Sequence, residues 1–178
     1  MKNCSDIFEK LKEFKKILVT GPQRSGTTIC GHMIAKDLQY RYVDEREVNV
    51  RSLFLLSQKL LNPEKIVIQC PVASAFVSWI DFPETCVVFM RRNCKEIKES
   101  EERINWPEEL VELKNYFTNK GPIAQVRYHN WDIYQRPCMK VPYFEMPYES
   151  LKTHPLWVDK EIRIKKFSRR QYALEPQP

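Results

Sequence analysis

The stretch from Lys16 to Leu38 constrains this chain more than any other. Lys16-Ile-Leu-Val-Thr20 is a short apolar run with strand character, Gly21-Pro22 is a turn signal, and small and apolar residues recur at helical spacing from Thr27 to Leu38. The joint between them, Gly21-Pro-Gln-Arg-Ser-Gly-Thr-Thr28, has the spacing G-x-x-x-x-G-T-T. An ordinary P-loop continues its second glycine with lysine, and here Thr27 stands in that place. The chemistry of the joint is that of an anion cradle. Backbone N–H groups of the turn and of the first helical turn converge on one point. Gly21 and Gly26 permit conformations and close approaches that a Cβ would block. Thr27 and Thr28 add hydroxyls, and Arg24 adds a forked cation able to grip two oxygens. The cradle so read runs through Gln23, Arg24, Ser25, Gly26, Thr27 and Thr28.

The rest of the chain alternates in the same way. Asp6 to Lys16 has helical periodicity, Tyr40 to Val43 suits a short second strand, and Val50 to Leu61 is apolar at helical spacing before Asn62-Pro63. Lys65 to Cys70 and Thr85 to Met90 are continuous apolar strands of the kind covered on both faces. Helices are expected over Asn93 to Ile104, Pro107 to Phe117 and Pro122 to Gln135, and a fifth strand over Val141 to Met146. Alternation of this kind implies a three-layer α/β/α fold around a central, mostly parallel sheet of about five strands, P-loop NTPase-like, with ligands at the carboxyl ends of the strands.

A chain of 178 residues suits one domain: an N-terminal helix over 1–15, a core over 16–155 and a basic tail over 156–178. No apolar run approaches the roughly 18 residues of a membrane span. Met1 to Lys16 is charged throughout and has no signal-peptide core, so the expected location is cytoplasmic. The six cysteines form no C-x-x-C pair and match no zinc spacing, which suits free thiols in a reducing compartment. The net charge of +6 suits an anionic ligand. Its basic residues are interleaved with acids along the chain, so neither nucleic acid nor a membrane is an expected partner. His32 and His129 are expected in packing roles, and His154, before Pro155 in an expected loop, is assigned none.

A P-loop NTPase also needs a carboxylate for magnesium at the end of a neighbouring strand. The strand ends here are Gln69-Cys70 and Arg91-Arg92, with Glu145 on the fifth strand the single carboxylate candidate. The cradle therefore suits an anion whose transfer needs no metal.

Pro22 to Thr28, P-Q-R-S-G-T-T, resembles the loop with which the sulfotransferase family holds the 5′-phosphosulfate of its donor, 3′-phosphoadenosine 5′-phosphosulfate (PAPS). A second segment is similar as well. In that family a buried strand ends in Arg, Asn follows, and a Ser eight residues past the Arg joins it in binding the donor's 3′-phosphate. Val87-Val-Phe-Met-Arg-Arg-Asn93 supplies Arg92, and Ser100 lies eight residues on. Tyr148-Glu-Ser-Leu151 resembles a late structural segment of the family, so the resemblance spans Lys16 to about Pro155. Departures are the short length, Ile29 in place of a Trp, Cys94 in place of a Pro, and the lack of the glycine-rich C-terminal lid of cytosolic members. Lys165 to Arg170 is a basic run that could stand in for it.

The resemblance implies a sulfotransferase that moves a sulfuryl group from PAPS to a hydroxyl or amine of a small-molecule or carbohydrate acceptor, with Arg24 stabilising the leaving phosphate. Cytosolic members take the acceptor proton with a His after the third strand, and none is present there. Other branches, among them the tyrosylprotein sulfotransferases, use a Glu beyond the P-loop helix. Glu45 lies 21 residues after Arg24, the same offset as in that branch, and is the candidate base, with Asp44 and Glu47 as competitors. A kinase with an altered P-loop and a nucleotide-binding module without catalysis are the alternatives. The acceptor contacts are expected between Asn105 and Cys138.

Overall fold

The apolar runs pair into a single sheet. The structure, a computed structural model, describes residues 4–48, 53–102 and 123–158. Its strands are β1 (Lys16–Thr20), β2 (Arg41–Val43), β3 (Ile66–Gln69), β4 (Thr85–Arg91) and β5 (Tyr143–Pro147), in the order β2-β3-β1-β4-β5. Every pairing is parallel, with Leu18 opposite Ile68 on one side and Val87 on the other. The helices are α1 (Cys4–Leu11), α2 (Thr27–Leu38), α3 (Glu45–Val48), α4 (Leu53–Leu61), α5 (Cys94–Glu102) and α6 (Ile123–Asn130).

The three central strands, β1, β3 and β4, are apolar on both faces because both are covered, which gives the three layers, while the edge strands β2 and β5 carry exposed residues such as Arg41 and Tyr143. Ile17, Val19, Val67, Cys86, Val88 and Met90 face one core, shared with α1, α2 and Tyr148. Leu18, Ile68, Val87 and Phe89 face a second core, with Leu56 and Leu60 of α4 and Trp131. No described helix is long and apolar enough to cross a membrane.

Several boundaries differ from the expected ones. The first helix begins at Cys4 and ends at Leu11 rather than Lys16, because Lys15 and Lys16 donate their N–H groups to the Glu84 carbonyl as the chain enters β1. The third strand is trimmed to Ile66–Gln69. The fifth starts at Tyr143 rather than Val141: Pro142 has no N–H to give, and its carbonyl accepts from Val87. The helix expected to Gln135 changes pitch. After α6 a π-helical turn (Trp131–Gln135) and a 3-10 turn (Arg136–Cys138) continue it. The helix over Pro107 to Phe117 and the basic run at Lys165 to Arg170 lie outside the described residues.

This topology positions a crevice. β1 leads into α2 on one face. β3 leads on the other face into two 3-10 turns, Pro71–Ala75 and Val77–Trp79. The carboxyl ends of β1 and β3 therefore open between oppositely directed connections, where ligands bind in open parallel sheets.

Candidate functional site

The loop between β1 and α2 is shaped by its glycines. Gly21 (φ +137°) passes so close to β4 that a Cβ would lie 2.9 Å from the Met90 carbonyl oxygen. Gly26 (φ +99°) is the N-cap of α2, and a Cβ there would meet the Tyr148 ring at 2.5 Å. Arg24 is also left-handed (φ 64°), a sparsely populated region for a residue with a side chain. No side chain caps α2, and its first turn holds no acid. The leading N–H groups of the helix therefore keep their positive partial charge at the lip of the sheet.

Each side chain of the expected cradle has a definite place. Ser25 is fully buried and turns inward, with both its N–H (3.1 Å) and its hydroxyl (2.6 Å) donating to the Pro22 carbonyl, so it holds the loop's shape. The Thr27 hydroxyl accepts from Gln69 Nε2 at 3.2 Å, which ties the helix start to the end of β3. Gln23 and Thr28 are half-buried at the rim, and Arg24 is exposed.

The strand-end motif meets this loop. Arg24 Nε donates to Ser100 Oγ at 3.1 Å, and Arg92 Nη1 donates to the Arg24 carbonyl at 3.0 Å. Arg24, Arg92 and Ser100, distant in the sequence, therefore form one cluster. Ser100 is buried. Arg92 lies over the Tyr148 ring, 4.0 Å from its centroid, and its Nε pairs with the exposed Glu96 at 3.0 Å. Tyr148 thus supports both Gly26 and Arg92, a role in the site that its resemblance to a structural segment did not signal.

Glu45 opens α3 at the carboxyl end of β2 and is half-buried. Its charge reaches the Cys70 thiol at the end of β3. That thiol is pushed up to about 11, chiefly by burial and further by Glu45, against hydrogen bonds from the Ala73 and Val72 backbone. The competitors cap α3 instead. Asp44 Oδ1 accepts from the Arg46 N–H at 3.0 Å, and Glu47 reaches back to the Asp44 N–H at 3.4 Å while pairing with Arg41.

Glu145 is engaged elsewhere. Its carboxylate receives Arg91 Nε at 3.1 Å and Trp131 Nε1 at 2.7 Å, and Arg91 also pairs with Asp132. Burial works to raise Glu145, but the bonds from Arg91 and Trp131 outweigh it and hold the carboxyl below its usual range. Arg91, primarily through its hydrogen bonds, also lowers Asp132. Among the described residues no group of three or more His, Cys, Asp or Glu side chains is arranged to hold a metal ion. The histidines pack: His32 stacks on Tyr42 at 3.8 Å, His129 meets the Tyr134 ring edge-on, and His154 Nε2 contacts Asp37 at 3.0 Å.

No family model matches this chain, and no curated protein matches it. Among solved structures it is similar to a shikimate kinase from Acinetobacter baumannii in complex with shikimate, at 13% identity over 78% of this chain and 87% of that one, with a TM-score of 0.52. The YorR protein of Bacillus subtilis, in complex with phosphorylated GDP, aligns at 13% identity over 75% of this chain and 86% of that one, with a TM-score of 0.47. With the sheet order and the glycine-shaped loop at the end of β1, the first likeness defines the class: a P-loop NTPase-like α/β fold.

Proposed function

We propose that the protein is a nucleotide-binding transferase of the sulfotransferase kind, moving a sulfuryl group from PAPS to a hydroxyl or amine of a small-molecule or carbohydrate acceptor. The observation that carries this reading is the convergence of Arg24, Arg92 and Ser100 beside an uncapped helix start. Two guanidiniums, a hydroxyl and backbone N–H groups then face one nucleotide bearing two separate anions.

In this reading the leading N–H groups of α2, with Thr27 and Thr28, hold the 5′-phosphosulfate. Arg92 and Ser100 hold the 3′-phosphate, which displaces Glu96 from the Arg92 guanidinium. Arg24 stabilises the charge that collects on the leaving phosphate. The acceptor oxygen or nitrogen attacks sulfur, the bond from sulfur to the bridging phosphate oxygen breaks, and Glu45 takes the acceptor's proton. The products are the sulfated acceptor and adenosine 3′,5′-bisphosphate.

A kinase is the second reading, since the similar solved structure with the higher TM-score is a kinase by its own description. The ends of β3 and β4 present Gln69 and Arg91 where magnesium would need a carboxylate, and Glu145 is already bound to Arg91 and Trp131. Selectivity for the 3′-phosphate tests the proposal. The wild type is expected to bind adenosine 3′,5′-bisphosphate at least about tenfold more tightly than adenosine 5′-monophosphate, and Arg92→Gln to erase most of that ratio. An unchanged ratio in the variant would remove Arg92 from the site.

A further inference from the structure

Arg127 stands apart from the other half-buried arginines, Arg91 and Arg92, the second of which pairs with Glu96. Arg91 is matched by two carboxylates, whereas the Arg127 guanidinium has no carboxylate partner among the described residues. It makes one hydrogen bond to a described residue, from Nη1 to the neutral Ser74 Oγ at 2.7 Å. A guanidinium carries five N–H donors, so most of this fork is unused. Burial works against its charge and lowers its pKa from the usual arginine value, a cost that an anionic partner would remove.

Its position is fixed from three sides. The next residue, Tyr128, both donates to and accepts from the Arg92 backbone through its hydroxyl, at 3.1 and 2.8 Å, which pins α6 to the end of β4. Asn130 Nδ2 donates to the Ser74 carbonyl at 3.3 Å. Ser74 Oγ donates to the Pro71 carbonyl at 2.8 Å, and that carbonyl also accepts from Thr20 Oγ1 at 3.4 Å. A continuous chain of hydrogen bonds therefore runs from Arg127 to Thr20, the residue before the glycine-shaped loop. The charges of Arg127 and Glu45 both reach the Cys70 thiol, so cation and carboxylate border the same strand end.

We propose that Arg127 is the recognition element for an oxyanion, a carboxylate or phosphoryl group, carried by the acceptor substrate. The acceptor then lies in the crevice at the ends of β1 and β3, with its anion on Arg127 and its nucleophile between Glu45 and the loop. Naming the occupant as the acceptor rests on the sulfuryl-transfer reading, while the oxyanion site itself rests on Arg127 alone.

The test titrates benzoate and, separately, inorganic phosphate by calorimetry in low-chloride buffer, into the full chain with and without saturating adenosine 3′,5′-bisphosphate. The wild type is expected to bind at least one of the two anions with the nucleotide present, and which of them binds assigns the oxyanion as carboxylate or phosphoryl. Arg127→Gln is expected to weaken that binding about tenfold or more while leaving nucleotide affinity unchanged. Arg127→Lys, which keeps the charge, retains part of it and serves as the folding control. Anion affinity independent of residue 127, or no binding of either anion by the wild type at tens of millimolar, overturns the proposal. Loss of nucleotide binding with Arg127-dependent anion binding intact would instead count against the sulfuryl-transfer reading.

Discussion

At the residue scale, Glu45 and the cluster of Arg24, Arg92 and Ser100 make different demands. Glu45→Gln keeps shape and hydrogen-bonding capacity and removes only the proton-accepting charge. Its expected effect is a fall in kcat of about 100-fold or more with adenosine 3′,5′-bisphosphate affinity unchanged, measured by labelled sulfate transfer. An equal loss of nucleotide binding would mean that residue 45 supports the loop rather than the chemistry. The cluster was legible in the sequence because motif spacing carried it: the loop gave Arg24, and the strand-end arginine with a serine eight residues later gave the other two. The contacts of Arg127 and Tyr148 were not legible. Nothing in the local sequence around Arg127 distinguishes a solvated helical arginine from one whose charge faces a strand end. That distinction comes from Ser74 and Asn130, contacts that only the folded chain creates.

At the element scale, the turn into α2 is held by conformation as much as by contacts. Gly26→Ala places a Cβ at positive φ and against the Tyr148 ring, and is expected to destabilise the fold by about 1–3 kcal/mol, read from denaturant unfolding. Unchanged stability would show that Tyr148 yields freely. The joint between β4, β5 and the π-helical turn responds to acid. Asp132 and Glu145 are held below their ordinary values by Arg91, so their contribution is complete above the ordinary carboxylate range and is lost as pH falls through their lowered values. The unfolding temperature is expected to fall between about pH 5 and pH 3, and less steeply in Glu145→Gln. The effect is modest, because the two side chains are 36% and 31% exposed. The sequence anticipated this segment as one plain helix. The π turn escapes periodicity because its cause is tertiary: Trp131 stacks on Phe89 at 4.0 Å while Gln135 accepts from Ser78.

At the scale of the whole molecule, the parallel sheet of five strands and its covering by helices on both faces follow from apolar runs alternating with helical ones, which is why the architecture was readable in advance, although the order of the strands was not. Strand ends were less so, since single donors decide them, as Pro142 does for β5. The architecture alone admits several chemistries, because one fold hosts many functions. The proposal narrows them by reading the cluster of Arg24, Arg92 and Ser100 at the ends of β1 and β4 as an anion site. Calorimetry with adenosine 3′,5′-bisphosphate in the presence of a chelator, against ATP with magnesium, tests that arrangement most directly. Tight binding of the bisphosphate without metal, and weaker binding of ATP with magnesium, is the expected result. A clear preference for ATP with magnesium would contradict it and favour the kinase reading.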